Sequence, residues 1–196
     1  MRKCTHSRET RETHIQLELD LDGKGIFEIN TGIGFFSHML ETLSKHSLID
    51  LKIDASGDTH VDFHHLVEDC AIIFGQAVIK ALGDKKGIRR FGQAVIPLDE
   101  ALVETVIDIS GRPHYESNLT QYSGDIHGFN FELADVFFSG FAGNGFTVHI
   151  HVKNGRNLHH IMESAFKSFS RALRMAVDID SRIEGIIPSA KDFIQV

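Results

Sequence analysis

At 196 residues the chain has room for one ordinary domain or two small, closely packed halves, enough to bury a core without a disulfide framework. A net charge of −7 argues against a polyanion-binding surface, so nucleic acid is not an expected partner. The first ten residues lack the apolar core of a secretion signal, no later run reaches the roughly 18 apolar residues of a membrane span, and Cys4 and Cys70 fit reduced thiols. The expectation is a cytoplasmic protein that does not engage membranes.

From Thr13, residues Ile15, Leu17, Leu19 and Leu21 alternate with polar ones, Asp22-Gly23 supplies turn chemistry, and Ile26, Phe27 and Ile29 follow. This pattern predicts a β-hairpin. Phe35, Phe36, Met39, Leu40 and Leu43 recur at helical spacing after Gly32 and Gly34, and Leu51 and Ile53 predict a strand ending near Gly57. Leu66, Cys70, Ile73, Phe74, Ala77, Val78 and Ala81 then form an apolar helical stripe that stops at Gly83-Asp84.

The second half repeats this order of strand, strand, helix, strand, helix. Val95-Ile96 precede Pro97, Val103 to Ile109 alternate, Phe131 to Phe141 read as helix, Phe146 to Val152 alternate, and Ile161 to Val177 form an amphipathic helix. The fold class expected is α/β (α+β), internally duplicated, with each half a sheet carrying helices on one face. The halves span residues 1–92 and 93–196 and form one functional unit, since 83–92 is short and rich in Lys and Arg rather than a Pro/Ser linker.

Thirteen histidines are the compositional oddity, and four of them open the two last helices. His64-His65-Leu66-Val67-Glu68 and His159-His160-Ile161-Met162-Glu163 lie 95 positions apart at the same structural place. At a helix start, residues i and i+4 share a face, so His64 with Glu68, and His159 with Glu163, can converge on one ion. His65 and His160 point about 100° away and can serve another. This mixed nitrogen and oxygen set suits manganese, iron or zinc, and the lack of Cys argues against a structural zinc cage. One His-His pair is readily a solvent-facing helix start; its repetition makes it a metal candidate. His38 alone reads as a boundary histidine.

The string Asp62-Phe63-His64-His65-Leu66-Val67-Glu68-Asp69 resembles the Asp-His-His-x-x-Glu-Asp signature of imidazoleglycerol-phosphate dehydratases. Arg8-Glu9-Thr10-Arg11-Glu12-Thr13, Gly83-Asp84-Lys85-Lys86-Gly87-Ile88-Arg89-Arg90-Phe91, Leu98-Asp99-Glu100-Ala101-Leu102, Asp108-Ile109-Ser110-Gly111-Arg112-Pro113 and Asn157-Leu158-His159-His160 also resemble family motifs in the family's order. The resemblance runs from Arg8 to Lys191. It implies a lyase of histidine biosynthesis that dehydrates D-erythro-imidazoleglycerol phosphate to imidazoleacetol phosphate through a two-manganese imidazolate mechanism. It also implies an octahedral 24-mer, a homo-oligomer with sites between subunits. The metal ligands it implies are His38, His64, His65, Glu68, His159, His160 and Glu163. Glu12, Glu68 and Glu163 would be catalytic, with Glu12 facing the reacting carbons. Substrate contacts would come from Glu12, His38, His46, His64, His65, Glu68, Arg90, Arg112, His159, Lys167, Ser189 and Lys191, of which Arg90, Arg112, Lys167, Ser189 and Lys191 would hold the phosphate.

The chain departs from the family pattern at four places. Val136, in Glu132-Leu133-Ala134-Asp135-Val136-Phe137-Phe138, stands where relatives carry a His, and sequence pseudo-symmetry pairs it with His38. Each is expected ahead of its own half's His-His-x-x-Glu helix, with His127, His149 or His151 as substitutes for the missing imidazole. Ser37 replaces an acidic neighbour of His38, Phe63 an acidic residue before the His pair, and Ala190 a serine of the Pro-Ser-Ser-Lys ending. Two rival classes share the same ligands: a di-metal phosphate-substrate hydrolase, and a catalytically weakened metal-binding relative.

Overall fold

The computed structural model describes residues 1–194. Alternation decides the first sheet. β2 (Thr13–Asp20) turns Thr13, Ile15, Leu17 and Leu19 inward and its other residues outward, and β4 (Asp50–Gly57) does the same with Leu51, Ile53 and Ala55. The two pair antiparallel with Leu17 opposite Ile53. β1 (Lys3–Glu9) lies antiparallel along the other side of β2 and β3 (Phe27–Asn30) runs parallel to β4, giving the order β1-β2-β4-β3.

The expected hairpin between Thr13–Asp20 and Phe27–Asn30 does not form, because both sides of β2 are already paired. Asp50 Oδ1 accepts the backbone N–H groups of Lys24 and Ile26, each at 2.8 Å, and so carries the chain past the end of β4 to its far side. From there α1 (Gly34–Ser47) makes the crossover that a parallel β3–β4 pair requires. β1 escaped the sequence pattern because polar contacts hold it to α2 (His64–Leu82): His6 Nε2 lies 2.9 Å from Gln76 Oε1, and Arg8 pairs with Asp69 at 2.7 Å.

The second half has the same topology. β5 (Phe91–Leu98), β6 (Ala101–Asp108), β7 (His114–Ser117) and β10 (Thr147–Asn154) stand in the order β5-β6-β10-β7, with β7 parallel to β10. The repeat therefore has three leading strands, not two, and aligns β2 with β6. α3 (Glu132–Ala142) and α4 (Leu158–Val177) match α1 and α2. The short hairpin of β8 (Asp125–Ile126) and β9 (Phe129–Asn130) has no counterpart in the first half. The half boundary expected at residues 92/93 falls inside β5.

The helices bury against each other across the repeat. α2 packs on β1 and β2, and α4 on β5 and β6, but α1 crosses to α4 and α3 crosses to α2. Phe137 of α3 reaches Phe36 of α1 at 5.9 Å and Phe166 of α4 at 5.1 Å between ring centroids, so one aromatic cluster joins both halves. The α2–α3 approach depends on missing side chains: a Cβ on Gly75 would collide with the Asn144 amide, and one on Gly140 would lie 3.2 Å from Ala71 Cβ. No helix among the described residues is long and apolar enough to cross a membrane, and both cysteines are free thiols.

Candidate active site

At the start of α2, His64 and His65 turn their rings nearly perpendicular, 85° apart with centroids 6.1 Å from each other. Asp62 Oδ1 accepts the His64 N–H at 2.8 Å and supports that first turn. His65 Nδ1 lies 3.0 Å from Asp58 Oδ2 and 3.7 Å from Glu12 Oε2. Asp58, hydrogen-bonded to that imidazole, raises its pKa above the ordinary value. Glu12, Asp58 and His65 are the one group of three His, Cys, Asp or Glu residues among the described residues whose ligand atoms lie within 4.8 Å of one another. Asp58 Oδ1 is buried with no hydrogen-bond partner among them.

The start of α4 is built differently. Asn157 caps it, its side-chain oxygen accepting the N–H of His159 at 2.9 Å and of His160 at 3.5 Å. His159 Nε2 sits 3.2 Å from Glu163 Oε2, the expected i,i+4 pair. His160 Nδ1 sits 2.7 Å from Glu100 Oε2. That bond holds Glu100 down to about 2 and raises His160. α1 brings His38 and His46 to this end of α4. Burial, the largest influence on Glu163, opposes its ionisation, but Lys167 Nζ at 2.7 Å from Oε1, with His38 and His159 nearby, keeps the carboxyl below its ordinary range. Burial pushes the His46 imidazole down, and Lys167 and Arg171 push it further.

The basic residues expected to hold phosphate do not form one group within the chain. Arg90 donates from Nε and Nη2 to Asp108 at 2.7 and 3.2 Å and from Nη1 to the Pro188 carbonyl at 2.9 Å, which ties it to the segment carrying Ser189 and Lys191. Arg112 is exposed in the loop after β6. Lys167 is elsewhere, on Glu163. A wide concavity on the outer face of the first sheet, lined among others by Lys3, Glu18, Phe27 and Lys52, contains none of the expected site residues.

The expected metal set divides in two: His64, His65 and Glu68 at α2, and His38, His159, His160 and Glu163 at α4. Among the described residues no hydrogen bond or ion pair joins one set to the other. The β8–β9 hairpin stands between them: His127 shares a cleft with His159 and His160, and Gly128 and Asn130 share another with His64. His38 and Val136 each precede their own half's helix in the chain, but α1 packs on α4 and α3 on α2, so in space each stands by the other half's helix. Val136 thus accompanies the α2 motif. None of the substitutes considered stands beside it: His127 faces α4, and His149 and His151 lie on the outer side of the second sheet, where the His149 ring is 5.6 Å from that of His114. Sequence reasoning missed Asp58 and Glu100. The imidazole and carboxylate donors, with an unpartnered buried oxygen beside them, fit a divalent transition metal.

A duplicated α/β scaffold that presents two His-His-x-x-Glu helix starts, each with a carboxylate on Nδ1 of its second imidazole, defines a metal-binding α/β enzyme. The family model described as imidazoleglycerol-phosphate dehydratase matches residues 31–173. The chain is 55% identical over 191 residues to the imidazoleglycerol-phosphate dehydratase of a Polaromonas species, covering 97% of this chain and 93% of the relative. It is 51% identical to that of a Synechococcus species, covering 100% and 98%. The crystal structure of the dehydratase from Staphylococcus aureus superposes with a TM-score of 0.82 at 36% identity, covering 91% of this chain and 99% of that one. That from Pyrococcus furiosus gives 0.81 at 33%, covering 96% and 100%. The chain belongs to the imidazoleglycerol-phosphate dehydratase family, lyases of histidine biosynthesis.

Proposed function

We propose that the chain dehydrates D-erythro-imidazoleglycerol phosphate to imidazoleacetol phosphate with two manganese ions per site, in the cytoplasm, and that the site is completed by a neighbouring subunit of an octahedral homo-oligomer. The observation that carries this reading is the anchoring of His65 Nδ1 by Asp58 and of His160 Nδ1 by Glu100. A carboxylate on one ring nitrogen selects the tautomer whose other nitrogen carries a lone pair for metal.

His38, His64, His65, Glu68, His159, His160 and Glu163 form the donor set, and Glu68 and Glu163 contribute to catalysis through it. Manganese held by these donors supplies Lewis acidity toward the substrate imidazole. The hydroxyl leaves with its bonding electrons as hydroxide from the carbon beside that ring and, with the proton lost from the next carbon, makes up the water released. Glu12, with 53% of its side chain exposed, takes the proton from the next carbon as general base, and the resulting enol becomes the ketone. Arg90 keeps N–H donors beyond the three it spends on Asp108 and Pro188, and with Arg112, Lys167, Ser189 and Lys191 it binds the phosphate. His46 packs beside Lys167 and contributes to the same pocket. The separation of the two histidine motifs within one chain supports completion by a second copy, because a two-ion site takes in both motifs only if another subunit supplies the missing one.

Incubating the purified protein with manganese and imidazoleglycerol phosphate should yield the ketone, and chelation should abolish it. Manganese binding without product would favour the weakened relative, a reading that Val136 supports. Phosphate release in place of ketone would favour the hydrolase.

A further inference from the structure

The two halves present an equivalent glutamate at an equivalent place. Glu12 immediately precedes β2, Glu100 immediately precedes β6, and β2 and β6 hold the same position in their sheets. Each glutamate lies near the second imidazole of a His-His pair, yet their situations differ. Glu12 Oε2 stays 3.7 Å from His65 Nδ1, beyond a hydrogen bond, because Asp58 already occupies that nitrogen at 3.0 Å. Glu100 Oε2 is itself the partner of His160 Nδ1 at 2.7 Å, and its Oε1 accepts the backbone N–H groups of Asn157 at 2.7 Å and Arg156 at 3.2 Å. The Glu100 side chain is 25% exposed against 53% for Glu12.

The reason for the difference lies just past a strand end. Asp58 follows Gly57 at the end of β4; in the second half the register shift after Val152 puts Gly155 in the place of Gly57, against Ala101 and Ile161 as Gly57 is against Thr13 and Leu66, so the residue in the place of Asp58 is Arg156. The Arg156 guanidinium has no acceptor to offer an imidazole N–H, and the Arg156 backbone N–H instead donates to Glu100 Oε1 at 3.2 Å. With a cation in that position, the orienting role in the second half falls to Glu100.

We infer that Asp58 and Glu100 are positioning residues that orient His65 and His160 for metal, and that Glu12 is free to act on substrate because Asp58 relieves it of the role Glu100 performs. This rests on the metal-site reading proposed above. It explains why a duplicated chain has one base rather than two: three hydrogen bonds hold Glu100 in place, whereas among the described residues nothing hydrogen-bonds the Glu12 carboxylate.

The test is a manganese titration of the full-length protein followed by electron paramagnetic resonance, alongside turnover. Glu100→Gln keeps a side-chain oxygen for the two backbone N–H groups and loses the charge on His160. It should weaken manganese binding by roughly 10–100-fold, as loss of an outer partner of a ligating histidine does. Asp58→Asn should do the same through His65. Glu12→Gln should bind manganese as the wild type does and lose kcat. In a His160→Ala background, Glu100→Gln should cost no further affinity. Wild-type affinity in Glu100→Gln, a full additional loss in the double variant, or an equal loss in Glu12→Gln would each overturn the inference. If Glu100→Gln fails to fold, Asp58→Asn decides, and wild-type affinity there overturns the proposal. A wild-type protein that binds no manganese would instead overturn the functional reading itself.

Discussion

The starts of α2 and α4 carry the same His-His-x-x-Glu spacing in different surroundings. α4 is capped by Asn157, faces His38 and His46 on α1, and has its Glu163 held by Lys167. α2 has Asp62 supporting its first turn, faces Val136 on α3, and has Gly140 packed over Glu68, 3.3 Å from a Cβ position to the Glu68 carbonyl oxygen. One site therefore has an imidazole from its companion helix and the other has a half-buried valine. The companion in each case belongs to the opposite half, so a substitution on α3 acts on the first half's motif, 68 to 72 residues earlier in the chain. Duplication copied the elements, and packing exchanged their partners.

The largest effect that would sharpen this contrast is expected at Glu12. Glu12→Gln should lower kcat by about 10²–10⁴, the usual share of a general base, while the Glu12-independent metal sites stay filled; unchanged turnover in a steady-state assay would move the base elsewhere. Next in size, Val136→His should tighten the ion held at His64 and Glu68, and His38→Ala should loosen the one held at His159 and Glu163. The His38 change should exceed the roughly 10–100-fold cost of losing an outer partner. Stepwise chelation with metal analysis separates the two ions, and a reversed assignment would break the crossed packing of α1 and α3. Lys167→Met should raise KM for the phosphate substrate roughly tenfold, since a charge-assisted bond is lost; an effect on metal affinity alone would show that Lys167 serves Glu163 instead.

Smaller effects test the helix starts and the imidazoles. Asn157→Ala should cost about 1 kcal/mol in a denaturant titration, the usual value of a lost N-cap, with no counterpart at Phe63, whose side chain caps nothing. The smallest effect concerns pH in the metal-free protein. His65 and His160 have folded-state pKa values raised above 6.5, chiefly by hydrogen bonds to Asp58 and Glu100. Their contribution to stability is complete below the unfolded value and is lost as pH rises through the folded one. Chelated protein should therefore melt slightly lower as pH rises above 6.5. The manganese-loaded protein should show the opposite trend, because ligating imidazoles must be neutral.

Much of this was legible in the chain. Period-two patterns marked β2, β4, β6 and β10, helical stripes marked α1 to α4, and the repeat of His64-His65 and His159-His160 marked the chemistry. β1 was hidden because its half-buried residues, Cys4, His6 and Arg8, form no apolar row, and His6 and Arg8 bind α2 through polar atoms. The β2–β3 hairpin misread had a definite cause as well: turn residues at Asp22-Gly23 report a change of direction but not which strand is free to pair. β8 and β9, two residues each, are too short to produce a period.

What the sequence determined by itself is local. The inward faces of the strands, the helix starts and the i,i+4 relation of each His to its Glu follow from backbone geometry within a few residues. The tertiary structure alone decided which helix stands opposite which motif, because that depends on how the two halves bury their helical faces together through Phe36, Phe137 and Phe166. It also decided the partners of His65 and His160. Asp58 is seven residues from its imidazole and Glu100 sixty, and each arrives on a strand end whose position is set by sheet pairing rather than by any spacing in the chain.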